Sequence, residues 1–331
     1  MGVNKSKPHL GIKELAKYLN VHYNTAYKLV TKGEIKGSKV GNTWRIRPED
    51  AETYLTDRRQ PPLEKPTDLT QNILAFVNQK GGVGKSTLTI NLAESFSKMS
   101  YNVLIIDIDP QGNSTTGVGV KTKNLHATIT EILLEGFPVE ESVQKTAFGF
   151  DIIPADIGLS EAEIELLSKM NRDLVLKDAL NKASDFLSKY DFILIDCPPS
   201  LGILTLNALS TAHYCIVPMD IGIFAFDGTK LLLKTIAEIR QLLNKSLQVA
   251  MFVITQADQR TNLTKDFSEN LRQNISYPVA QTEILWRTAI KEAQFQGVPI
   301  GKHDTKCATM FDSLAKEIIE EVNKDGDKKE T

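Results

Sequence analysis

Beyond residue 70 the chain alternates short, continuously apolar runs with longer stretches of helical period. The runs are ILAFVN (73–78), NVLIIDI (102–108), FDIIPA (150–155), FILIDC (192–197), YCIVPM (214–219) and QVAMFVIT (248–255). Strands apolar on both faces must be covered on both sides, so the pattern predicts a mostly parallel, doubly wound α/β sheet. The first 56 residues read differently. Ile12, Leu15, Ala16 and Leu19 share one helical face, Ala26, Leu29 and Val30 share another, Val21 fills the turn between them and Gly33 ends the second helix. That is helix-turn-helix spacing. The following stretch alternates about Gly41-Asn42 as a hairpin, then returns to a helix holding Ala51, Tyr54 and Leu55. Pro61, Pro62 and Pro66 disfavour both helix and ladder pairing, which makes 57–70 a linker. The expected plan is a small domain over 1–56, the linker, a large domain over 71–323 and a charged, frayed tail over 324–331. No internal repeat interrupts it.

Charge sharpens the division. Residues 1–60 hold 12 Lys/Arg against 6 Asp/Glu, a balance of +6, and the remainder holds 27 against 35, a balance of -8. A basic front on an acidic body suggests that the front meets nucleic acid. No stretch approaches the roughly 18 uncharged apolar residues of a membrane span, and the start lacks a secretory apolar segment, so the expected location is the cytoplasm. Near the end, Phe311, Leu314, Ile318, Ile319 and Val322 form a stripe whose opposite face carries Glu317, Glu320 and Glu321. An acidic face repels anionic lipid, so this is a core-packing helix and no membrane partner is expected. Cys197, Cys215 and Cys307 show no metal-ligand spacing and read as reduced, buried residues.

Candidate chemistry begins after the first run of the large domain. In NQKGGVGKSTLTINLAESF (78–96), a strand, a glycine-rich turn and a helix start follow one another. Backbone N–H groups and the helix dipole converge there, which makes an anion site. Gly81, Gly82 and Gly84 let the backbone approach phosphate oxygens, Lys85 reaches the β and γ phosphates, and the Ser86 hydroxyl can ligate Mg²⁺. Val83 and Thr87 complete the loop. A nucleoside triphosphate is the expected ligand. Two later runs end in aspartates: VLIIDIDPQGNST brings Asp107 and Asp109 to the carboxyl end of a strand, and YDFILIDCPPS brings Asp196. Strand-end carboxylates face the ligand crevice of an open α/β sheet. Asp109 fits the orientation or deprotonation of an attacking water, Asp196 fits Mg²⁺ held through water, and Asp107 either organises that shell or caps the turn that follows it.

The loop departs from the general phosphate-loop pattern: Gln79 stands at its first glycine position, followed by Lys80. In this it resembles the deviant Walker A loop, K-G-G-x-G-K-[ST], of the ParA/MinD family of ATPases. With LIIDIDPQGNSTTGVG, DIIPADIGLSEAEIEL, DFILIDCPPSLGILTLNAL and ITQADQRTNL, the resemblance spans about residues 70–322 and is to the ParA partition branch. It implies a slow, partner-stimulated ATPase with ATP/ADP and Mg²⁺ as cofactors. It further implies a nucleotide-sandwich homodimer in which Lys80 crosses to the partner's phosphates, catalytic roles for Lys80, Lys85, Asp107, Asp109 and Asp196, metal roles for Ser86, Asp109 and Asp196, and a ParB-like centromere-binding adaptor. Arg260 would belong to a surface that holds DNA without sequence preference and places the protein on the nucleoid; an ordinary surface salt bridge is the rival reading. The family's later arginine-rich stretch is poorly kept here, with only Arg287, Lys291, Lys302 and Lys306 available.

The front domain resembles the excisionase/MerR-type winged helix-turn-helix family. That resemblance would aim Tyr23, Asn24, Tyr27 and Lys28 at a major groove and set Lys36, Lys39, Arg45 and Arg47 on phosphates. Two functions fit the whole chain: ATP-driven DNA partition with operator autoregulation, and transcriptional regulation with the ATPase body as a nucleotide-sensing dimerisation switch.

Overall fold

The structure is a computed structural model that describes residues 9–19, 23–31, 35–41, 43–51, 71–222, 225–258 and 260–326. It divides into two compact units, Met1–Glu64 and Lys65–Thr331. In the first, helices Ile12–Leu19 and Tyr23–Thr31 precede a hairpin of β1 (Ser38–Val40) and β2 (Thr43–Arg45). All of the apolar positions expected at this core that lie among the described residues are buried: Ile12, Leu15, Ala16, Leu19, Ala26, Leu29, Val30 and Ala51. Leu10, Ile35 and Ile46 join them, and Leu10 and Ile46 close the unit by exchanging backbone hydrogen bonds of 2.7 and 2.9 Å. Gly41, at φ 61, makes the turn between the strands. Val21, Gly33, Asn42, Tyr54, Leu55 and the linker lie outside the described residues.

The second unit is built on a seven-stranded sheet: β3 (Asn72–Phe76), β4 (Val103–Asp107), β5 (Gln144–Lys145), β6 (Asp151–Ile153), β7 (Phe192–Asp196), β8 (Tyr214–Asp220) and β9 (Gln248–Thr255). The strand order is β5-β6-β4-β7-β3-β8-β9. Every neighbouring pair is parallel except β5 with β6. Alternate residues feed two cores. Ile73, Ala75, Ile193 and Ile195 pack on one side of the sheet, and Leu74, Phe76, Phe192 and Leu194 on the other. The stack of Phe96 on Phe192, with centroids 4.3 Å apart and rings 4° from parallel, fastens the helix Lys85–Lys98 to the second face.

All six expected strands exist. Three of them, β3, β4 and β7, end at Phe76, Asp107 and Asp196, a residue or two before their apolar runs do, because the chain turns there into the crevice. Two features were not expected. β5 has two residues, too few for any period to register. The stretch 278–286 lies along β9 through bridges at Phe252–Val279 and Ala257–Leu285, which covers a sheet edge. The terminal helix Thr305–Gly326 buries Phe311, Leu314, Ile318 and Val322 in the second core, as its stripe predicted. Its acidic face has a local use: the Glu317 carboxylate accepts hydrogen bonds from the backbone N–H groups of Gln281 (2.6 Å) and Thr282 (2.8 Å). The helix continues to Gly326, so the start of the segment expected to fray is helical, tied by a Lys324–Glu321 pair of 2.9 Å. Residues 327–331 lie outside the described residues.

Candidate nucleotide site

The interior strand β3 feeds a loop that ends in the helix Lys85–Lys98. Gly82 and Gly84 sit at φ 75 and 95, in the left-handed region where a Cβ is strained, which explains glycine at both. Gly84 is the helix N-cap and supplies no side-chain acceptor, so the first-turn N–H groups remain available to an anion. The loop is pinned from β9, two strands away from β3: the Thr255 hydroxyl donates to the carbonyl of buried Val83 at 2.7 Å. Lys85 is 6% exposed, and its ammonium donates to the carbonyls of Asn78 (3.2 Å) and Lys80 (3.4 Å). Burial lowers the Lys85 pKa, while Asp196 and Asp109 act against that shift. Lys80 is placed otherwise. Its side chain is half exposed and its ammonium lies 2.5 Å from Asp220 Oδ2 at the end of β8.

The sheet register sets Asp107 directly opposite Asp196 on adjacent strands. Both are fully buried. Both carboxyls titrate well above the ordinary range; the chief cause is burial, and for Asp107 the neighbouring Asp196 charge adds to it. Asp107 is committed to its own turn. Its Oδ2 accepts from the Thr115 N–H (2.8 Å) and hydroxyl (2.7 Å), and its Oδ1 accepts from the Asp109 N–H (3.2 Å). Asp109, 5% exposed, accepts from the Gln111 N–H at 3.0 Å. Asp196 Oδ2 accepts from the Ser114 hydroxyl at 2.7 Å, whereas Oδ1 is buried without a hydrogen-bond partner. The Ser86 hydroxyl stands close enough to pull the Asp196 pKa back down. An orphaned carboxylate oxygen beside a loop hydroxyl fits the outer shell of a Mg²⁺ whose remaining ligands are water and phosphate. Among the described residues no group of three or more His, Cys, Asp or Glu could hold a metal ion alone.

One residue here escaped sequence reasoning. Gln256 follows β9 at φ 54, a left-handed conformation uncommon outside glycine, and its amide N–H group donates to the Gly82 carbonyl. It borders a cleft of about 320 Å³ together with Gly84, Thr87, Ile284, Trp286 and Gln294, next to the phosphate loop. Two of its lining residues are joined: Gln294 donates to the Thr87 hydroxyl at 2.7 Å. A glutamine in ITQAD carries no periodic or spacing signal, so only the folded chain reveals it.

The DNA candidates fall into two groups. In the first unit Tyr23 and Tyr27 are exposed and stack with centroids 6.5 Å apart, while Lys28, Lys36, Lys39, Arg45 and Arg47 are exposed. Tyr23, Tyr27 and Lys39 share a cleft with Trp44. The side chain of Asn24 lies outside the described residues. In the second unit Arg260 is engaged by Asp258 in a two-pronged pair of 2.8 and 2.7 Å. Arg287 lines a surface cleft with Asp258 and Arg260. Arg260 first and Arg287 last among the causes hold the Asp258 carboxyl low, at about 2. The salt bridge is therefore present, at the edge of a surface that also carries a second arginine.

A family profile described as an AAA domain matches residues 71–249, and one described as a helix-turn-helix domain matches residues 10–59. The chromosome partitioning protein ParA of Caulobacter vibrioides is 38% identical over 250 residues, covering 75% of this chain and 93% of that protein. The chain belongs to the ParA family. The sporulation initiation inhibitor protein Soj of Bacillus subtilis is 36% identical over 249 residues, 74% of this chain and 97% of Soj. Among solved structures, cobyrinic acid a,c-diamide synthase of Mycobacterium smegmatis with bound ADP and magnesium superposes with a TM-score of 0.65 at 31% identity, covering 75% of this chain and 93% of that one. A putative plasmid partition protein of Borrelia burgdorferi bound to AMPPNP shares the fold, with a TM-score of 0.64 at 24% identity over 76% of this chain and 99% of that one. The ParA fold thus covers the second unit, and the helix-turn-helix domain adds a front end to it.

Proposed function

We propose that this ParA-family protein is a Mg²⁺-dependent ATPase that partitions DNA. ATP closes a homodimer, the dimer holds DNA without sequence preference, and a ParB-like adaptor stimulates hydrolysis and release. The observation that carries the reading is the division of labour between two lysines: Lys85 is buried in its own loop, whereas Lys80 is half exposed and held outside that cradle, available to a second copy. Loop N–H groups from Gly81 to Thr87 and the Lys85 ammonium hold the phosphates. Ser86 would ligate Mg²⁺ through its hydroxyl, and Asp196, with Asp109 alongside, would hold it through water; the ion, when bound, would neutralise phosphate charge. Asp109 orients the attacking water. Asp107 positions the turn that carries Asp109. The cleft beside Gln256 takes the base, and because the Gln256 N–H group is engaged by Gly82, its carbonyl oxygen is left to accept from an exocyclic amino group, as adenine offers. The first unit, expected over 1–56 and joined by the 57–70 linker, binds operator DNA through Tyr23, Tyr27, Lys28 and the basic hairpin.

Deleting residues 1–64 and scoring both cargo segregation and repression of the protein's own promoter tests the reading. Segregation retained with repression lost supports it; segregation unaffected by loss of the ATPase leaves a nucleotide-switched transcription factor instead. The surface role of the arginines has its own test. Arg260→Ala with Arg287→Ala is expected to weaken ATP-dependent binding to random duplex DNA and to reduce the slope of log affinity against log salt by about 1 for each phosphate no longer neutralised. An unchanged slope in the double variant removes both from the DNA surface and leaves Arg260 as the partner of Asp258 alone.

A further inference from the structure

The carboxylate that holds Lys80 belongs to none of the roles assigned above. Asp220 ends β8, the strand beside β3, and its Oδ2 lies 2.5 Å from the Lys80 ammonium. Asp220 is the less exposed member of the pair, its side chain 19% exposed against 51% for Lys80. The backbone beneath the lysine is anchored to the same strand by a third residue. Asn78 accepts from the Lys80 N–H at 2.9 Å through its side-chain oxygen, and its amide N–H group donates to the Pro218 carbonyl at 2.6 Å. Gly222 faces the lysine's tip: a Cβ built there would lie 3.7 Å from the ammonium. The lysine backbone is therefore fixed to β8 while its side chain rests, among the described residues, on the Asp220 carboxylate. Leaving that carboxylate requires rotation of the side chain alone, with no change in the loop that cradles phosphate.

We propose that Asp220 is a positioning residue that stores Lys80 within its own subunit and thereby sets the protein and nucleotide concentration at which two copies close. The proposal rests on the reading that Lys80 crosses to a partner's triphosphate. A lysine cannot pair with Asp220 and reach a second subunit's phosphates at once, so each closing event breaks two such pairs, one per copy. An ion pair of this partial exposure is worth about two- to fivefold in an equilibrium constant; two pairs make about four- to twenty-fivefold in the dimer dissociation constant. The pair opposes association weakly, which lets a triphosphate overcome it and leaves the nucleotide-free protein open. Salt screens it, so the threshold also depends on ionic strength.

The test compares the full chain with Asp220→Asn, Asp220→Glu, Lys80→Ala and the Lys80→Ala/Asp220→Asn double variant. Sedimentation equilibrium is run with Mg²⁺ and a non-hydrolysable ATP analogue, and ADP affinity is measured calorimetrically. Asp220→Asn should dimerise about four- to twenty-fivefold more tightly, with ADP affinity unchanged and with the gain shrinking toward 1 M salt, where the Debye length is about 3 Å. Asp220→Glu, which keeps the charge, should stay near the wild-type value. In steady state, Asp220→Asn should reach half-maximal ATPase at lower protein concentration without a higher kcat. A wild-type or weaker dimer in Asp220→Asn overturns the storage role. A different outcome overturns the underlying reading: Lys80→Ala dimerising like wild type, in which case Asp220 has nothing to withhold.

Discussion

Lys80→Ala is expected to keep its nucleotide and lose its dimer. Within one subunit the half-exposed Lys80 adds nothing to the phosphate cradle, which is formed by the loop backbone, the helix N-terminus and buried Lys85. Its removal therefore changes ADP affinity little: inside the chain the substitution breaks only the Asp220 ion pair, worth at most about 1 kcal/mol at such exposure. In a closed dimer the same ammonium would meet a polyphosphate in a water-poor interface, where a charge-assisted hydrogen bond contributes about 1.5 to 3 kcal/mol. Two copies exchange two lysines, so the loss is about 3 to 6 kcal/mol, a factor of about 10² to 10⁴ in the dimer dissociation constant. Calorimetric titration with ADP and sedimentation with Mg²⁺ and an ATP analogue separate the two quantities. A Lys80→Ala protein that still dimerises on nucleotide would remove the partner-directed role, and a protein that loses ADP binding would place the lysine in its own cradle instead.

The contrast with Lys85 shows where sequence was sufficient. GKS after an apolar strand predicts a buried phosphate-binding lysine because the loop, strand and helix start are contiguous in the chain. The strands were legible for a related reason: runs such as FILID and VLIID are apolar on both faces, and only a helix-covered parallel sheet buries them. The same contiguity is missing from Asp220 and Gln256. Asp220 lies 140 residues from its lysine, and Gln256 lies 174 residues from the glycine carbonyl it engages. Each is brought to the loop by strand order, which places β8 beside β3 and β9 next to β8. Asp107 is an intermediate case. Its position at a strand end was readable, but capping and catalysis place an aspartate at the same spot, and only the bonds to Thr115 and to the Asp109 N–H show how its oxygens are spent.

Asp196→Asn is expected to raise stability and abolish catalysis together. Asp196 is fully buried opposite Asp107, with Oδ1 unpartnered and Oδ2 accepting from Ser114. Burial raises its pKa above the unfolded value, so folding favours its protonated form. The stability this group contributes is complete below the unfolded carboxylate pKa near 4 and is lost as pH rises through the higher folded value. At pH 8 the nucleotide-free protein carries that cost, partly offset by the Lys85 ammonium. Asparagine keeps the acceptor for Ser114 and sets an uncharged N–H group where Oδ1 stood, so the variant should be more stable at pH 8 by about 1 to 3 kcal/mol. For a unit of this size each kcal/mol is worth roughly 2 to 4 °C in Tm. The gain should shrink toward pH 5, where the wild-type carboxyl is already taking up its proton. Without the carboxylate the metal's shell loses its anchor, and Mg²⁺-ATPase activity should fall by about 10² to 10³, the scale for removing one group aimed at transition-state charge. Melting curves at both pH values without nucleotide, together with ATPase rates, check both halves. An Asp196→Asn protein less stable than wild type at pH 8 would mean that Lys85 compensates the buried charge in full, and the carboxylate would then support the fold as well as the metal.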